Sequence, residues 1–102
     1  MVPPGDNLEF QASGAFRDRT INEPTILEES KATLRRNPTL GSPLAGNFKR
    51  LDLQVADSDY VIFFKRNRNV IAFIAIFDAE DQASIEAKKK ELASRIAKGE
   101  LK

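Results

Sequence analysis

Two hydrophobic rhythms run along the chain and place its elements. Leu8, Glu9, Phe10 and Gln11 alternate apolar with polar, the period of a short half-buried strand, and its isolation predicts a place at a sheet edge. From Asn22 the rhythm turns helical. Ile26, Leu27, Ser30 and Leu34 recur at spacings of three, four and seven and aim one stripe at a core. Asn22 can cap this helix, Pro24 suits its first turn, and Thr25 with Glu28 has capping-box spacing for a shifted start. Arg35 and Arg36 fall in the last turn, where the helix carbonyls favour cations, and Pro38 ends it. Between Ser13 and Asn22 the pattern is too weak to name an element.

The stretch Asn37 to Asn47, with its prolines and glycines, reads as a surface loop that tucks Leu40 and Leu44 back onto the body. After Phe48, the residues Leu51, Leu53 and Val55 alternate with Arg50, Asp52 and Gln54, so one face of this strand is buried and the other wet. Ala56 to Asp59 turns the chain. Tyr60 to Phe64 and Val70 to Phe77 are apolar, β-branched and aromatic, separated by a polar hairpin over Lys65 to Asn69. They predict antiparallel neighbours at the sheet centre, covered on both faces. A last helix begins between Asp78 and Ser84, with Asp78 or Asp81 as cap. Ile85, Leu92 and Ile96 face inward, Lys88, Lys89, Lys90 and Glu91 outward, and Lys98 and Gly99 end it. The class is α+β: a twisted antiparallel sheet with a helix or helices before it and one after.

Composition narrows the chemistry. A chain of 102 residues makes one domain over 1–102, with Met1 to Asn7 as a flexible lead-in. It has no cysteine and no histidine. Thiol nucleophiles, thiolate metal sites, ordinary serine triads and HExxH zinc sites are therefore excluded, and no metal or cofactor is expected. The N-terminal stretch lacks a basic and an apolar region, and Val70 to Phe77 is too short to span a bilayer, so no membrane role and a cytoplasmic location are expected. Net charge is +1, yet residues 1–30 carry two basic and six acidic side chains and residues 31–68 eight and three. A localised basic face suits nucleic acid or an acidic partner.

The order of a helix ending in RRNPTLGSPLAG, then FKRLDL, DYVIFF, a polar loop, VIAFIAIF and an acidic-capped helix resembles the RelE/ParE superfamily of type II toxin–antitoxin toxins. The tail FIAIFDAEDQASIEAKKKELASRI is most similar to the HigB-type branch. The resemblance spans roughly residues 24–98 and implies helices packed on one face of a twisted antiparallel sheet. It implies a cognate antitoxin as partner, and one of two activities. One is inhibition of translation by cleaving mRNA on the ribosome, as an endoribonuclease or mRNA interferase. The other is action by binding alone, either as a DNA gyrase poison or as an inactive antitoxin-binding relative.

For cleavage, a 2′-hydroxyl must lose a proton, the phosphorane charge must be neutralised and the leaving oxygen must gain a proton. The resemblance puts Lys49 and Arg50 on the strand that carries family lysines, although alternation sends them to opposite faces. Tyr60 stands where the family motif opens with arginine, Phe63 where it closes with tyrosine, and Phe77 and Asp78 where another basic residue is usual. Lys49, Arg50 and Tyr60 are the expected catalytic residues. Lys65, Arg66 and Arg68 on the hairpin, with Arg35 and Arg36, are the expected RNA-binding cations. Asp78 or Glu80 can serve as a base, against which stands Asp78 as a helix cap.

Overall fold

In a computed structural model, residues 8–37 and 40–99 are described; the lead-in 1–7 and Pro38 lie outside them. The elements are β1 (Glu9–Ala12), α1 (Gly14–Thr20), α2 (Pro24–Arg36), β2 (Ser42–Ala45), β3 (Phe48–Val55), β4 (Ser58–Asn67), β5 (Val70–Asp78) and α3 (Gln82–Ala97). The strands form one sheet in the order β1-β5-β4-β3-β2. It is a small α+β domain, as the pattern predicts, but its sheet is mixed. β1 runs parallel to β5, while the other pairs are antiparallel. A parallel pair needs a long crossover, and the helices and strands between β1 and β5 provide it.

The two central runs behave as expected. Val61, Ile62, Phe63 and Phe64 are all fully buried, because alternate residues feed opposite cores. Ile62 and Phe64 join Phe16, Ile26, Leu34, Leu51, Ile71 and Phe73 beneath α1 and α2, whereas Val61 and Phe63 join Phe48, Ile85 and Leu92 beneath α3. Helices therefore cover both faces, which corrects the one-sided arrangement that the resemblance implies. Apolar Ile74, Ala75 and Phe77 on the second face need that cover.

A bulge joins the sheet to α1. Phe63 pairs with Ala75 and Phe64 with Phe73, leaving Ile74 unpaired in register. The Ser13 hydroxyl donates to the Ile74 carbonyl at 2.7 Å and its Oγ accepts the Phe16 amide at 3.2 Å, so one side chain anchors and caps α1. Phe16 then stacks on Phe73 with ring centroids 5.0 Å apart. No periodic pattern marks α1, since only Phe16 and Thr20 of it are buried.

Other boundaries move. Asn22 does not cap α2; Glu23 holds that position without a side-chain bond, and the fixed φ of Pro24 starts the helix. The predicted loop contains β2, and Leu40 is exposed, although Leu44 packs beside Phe48. The hairpin turn shrinks to Arg68 and Asn69, making Lys65 and Arg66 strand residues. Asp81 caps α3 by accepting the Ser84 amide at 3.2 Å, so Asp78 does not. Lys88 is half-buried rather than outward, lying on the stripe of Ile85 and Leu92. Among the described residues no helix is long and apolar enough to cross a membrane.

Candidate nucleic-acid interface

Antiparallel pairing sorts the charges by sheet end. β3 runs from Phe48 to Val55 and β4 returns, so Lys49 pairs with Phe64 and Phe48 with Lys65, while Gln54 pairs with Asp59 at the opposite end. The C-terminus of α2 reaches the first of these ends, where the Arg35 guanidinium lies 5.0 Å from the Phe10 ring centroid. Arg35, Arg36, Lys49, Lys65, Arg66 and Arg68 thereby share one end. At the other end, Asp57, Asp59, Asp78 and Glu80 line a groove of about 300 Å³, with Glu23 joined to Asp78 through Arg19 and the Asp81 amide bonded to the Asp78 carbonyl.

Among the described residues, no carboxylate comes within ion-pairing distance of Arg35, Lys49, Lys65 or Arg68. The Lys65 ammonium instead sits 5.7 Å from the Phe48 ring centroid, a contact that orients the charge without neutralising it. Arg66 Nε donates to the Arg68 carbonyl at 3.0 Å, stiffening the hairpin tip that carries both guanidinium groups. This end can grip a polyanion backbone by charge.

The expected catalytic set is not brought together. Lys49 lies on the α1–α2 face beside Phe64 and Gly41, where a Cβ added to Gly41 (φ 123°) would meet the Phe64 ring at 3.0 Å. Arg50 projects to the other face, lines a shallow cleft of about 140 Å³ with Gly41 and Ser42, and is bound by Asp52 at 3.0 Å. That carboxylate cancels its charge and would repel phosphate. Tyr60 pairs with Leu53, four register positions from Lys49, or about 13 Å along the strand.

Tyr60 belongs to the acidic end. The Arg19 guanidinium lies 5.9 Å from its ring centroid and binds Glu23 at 2.7 Å and Asp78 at 3.3 Å. The hydrogen bond to Glu23 is the main cause that raises the Arg19 pKa; the charges of Glu23, Asp78 and Tyr60 add to it, against desolvation. Sequence reading missed Arg19, because its tie to Asp78 spans 59 residues and leaves no local signal. No group of histidine, cysteine, aspartate or glutamate that can hold a metal occurs among the described residues. Comparison with protein-family models, with curated proteins and with solved structures returned no match.

Proposed function

We propose that this chain is the toxin of a type II toxin–antitoxin module of RelE/ParE kind, inhibiting translation by engaging ribosome-bound mRNA through its basic end. The observation that carries the reading is the gathering of Arg35, Lys49, Lys65 and Arg68 at one sheet end with no carboxylate partner among the described residues. RNA phosphates displace counterions from such a surface, and sequence-independent backbone contact suits a message presented by the ribosome. The order of elements, with two helices before the antiparallel strands and one after, supports the same family. Its antitoxin covers this end with acidic side chains.

In the cleaving form of this reading, Lys49 is the residue that neutralises charge on the scissile phosphate, since Arg50 is committed to Asp52. One observation favours the second reading, a toxin that acts by binding alone, on gyrase or only on its antitoxin. Tyr60 lies with Arg19 and Asp78, away from Lys49, so no proton donor among the expected residues stands beside it. Toeprinting on translating ribosomes separates the two. Cleavage by the wild type that falls about 100-fold or more in Lys49→Ala and survives in Tyr60→Phe supports the enzyme. Inhibited translation with intact mRNA supports binding alone, and DNA-damage induction with intact mRNA points to gyrase.

A further inference from the structure

The sheet has two edges, and they are built differently. β2 carries Pro43, which has no amide hydrogen, and its register with β3 shifts between Pro43 and Ala45. Both features blunt an edge against a further strand. β1 has neither: its register with β5 is regular from Glu9 to Ala12. The amides of Glu9 and Ser13 donate inward to the carbonyls of Asn69 and Phe73. Alternate residues of a strand turn their backbone groups the other way, so those of Phe10 and Ala12 point outward, where no described strand meets them.

Beside this edge lies a cleft of about 180 Å³ between β1 and the two N-terminal helices. Phe10, Ala12, Leu27 and Phe73 give it an apolar lining, and Arg17 and Lys31 are the charged groups of its wall. Phe10 is fixed there, stacked 5.7 Å from Phe73 and approached by Arg35. Half-buried Lys31 has a long pair with exposed Glu28 at 4.0 Å, and Arg17 has no ion pair among the described residues. Open backbone donors and acceptors, an apolar hollow and cations converge on one strip of surface.

We propose that this strip docks an extended, carboxylate-bearing segment of a partner protein, which adds beside β1 as a further strand. Its backbone bonds Phe10 and Ala12, and on its helix-facing side apolar side chains enter the hollow while carboxylates beside them meet Arg17, Lys31 and Arg35. The inference does not depend on the toxin reading: Arg35 serves in both, but the β1 edge, the hollow, Arg17 and Lys31 take no part in that reading, and the hairpin cations take none in this one. Backbone pairing supplies affinity for any extended chain, and the cations select an acidic one.

The test is a titration of the isotope-labelled full chain, followed by amide resonances, with an eight-residue peptide whose odd positions, which share one face of a strand, alternate valine and glutamate and whose even positions are threonine. The expected result is saturable binding that shifts β1 and the facing turns of α1 and α2. Hydrogen exchange at the Phe10 and Ala12 amides slows by about tenfold or more. The double substitution Arg17→Glu, Lys31→Glu weakens binding about tenfold. A peptide with alternate backbone nitrogens methylated loses binding, a control that needs no protein variant. No saturable binding, equal binding of the same peptide with lysine in place of glutamate, survival of binding after methylation, or shifts confined to the 65–68 hairpin would each overturn the proposal.

Discussion

At one end of the sheet the chain reverses at Ala56 and Asp57 among carboxylates, and at the other it reverses at Arg68 and Asn69 among cations. Both reversals place a non-glycine residue at left-handed φ, 54° for Ala56 and 58° for Arg68. The ends differ in what their cations do. Arg19 is held in the acidic end by Glu23, Asp78 and the Tyr60 ring, so its charge is spent within the fold. Lys65 and Arg35 rest on aromatic faces, which hold a cation in place and leave its charge for an outside anion. One cation is thus tied up within the fold at the first end, while two at the other keep their charge open to solvent.

The largest effect should appear on RNA binding. Arg35→Glu with Arg68→Glu should weaken binding of a short single-stranded RNA about 100-fold at about 50 mM salt. The slope of log affinity against log salt should shrink by about 1.4, the value for two lost phosphate contacts. Asp57→Lys with Asp59→Lys, the matching reversal at the acidic end, should change affinity only a few-fold and in the opposite direction. Fluorescence anisotropy across a salt series measures both. Equal losses from the two pairs would end the comparison, since net charge alone would then govern binding.

A smaller effect separates structural from available cations. Arg19→Met removes two exposed ion pairs, to Glu23 and Asp78, and should cost about 1 kcal/mol or less in urea unfolding. Arg68→Met should stay within about 0.5 kcal/mol of wild type. A raised guanidinium pKa gives stability that is complete below the unfolded value and is lost only as pH climbs through the folded one. The Arg19 contribution therefore does not vary across the neutral range, and mutation reveals it where a pH titration does not.

Much of this fold is legible in the sequence where a residue's environment is decided by its neighbours in the chain. The apolar runs around Phe63 and Phe73, the stripe of Ile26 and Leu34, and the spacing of Ile85 and Leu92 each report burial directly. β2 escapes because Pro43 at an edge reads as loop, and α1 because Phe16 and Thr20 are too few to set a period. The candidate site is less legible. Residues 31–68 are net basic as a segment, but the fold of β3 onto β4 carries Asp57 and Asp59 to one end and Lys49 and Lys65 to the other. Separation of charge in space depends on register, and a count along the chain does not contain it. For the same reason Tyr60, close in sequence to the hairpin cations, lies with Arg19.

The smallest effect tests the feature that the two ends share. An L-residue at left-handed φ carries a penalty of about 1–2 kcal/mol, offset in part by the greater chain entropy that glycine loses on folding. Ala56→Gly should therefore raise stability by about 0.5–1 kcal/mol, read as a higher urea midpoint at unchanged slope. Arg68→Gly relieves the same strain and should stabilise by a similar amount, yet it also removes a guanidinium from the hairpin tip. Measured together with RNA affinity, the pair divides the two roles: both substitutions strengthen the fold, and only the one at Arg68 weakens binding. If Ala56→Gly weakened RNA binding as much, the turns would be transmitting strain through β4, and charge would no longer be what distinguishes the two ends.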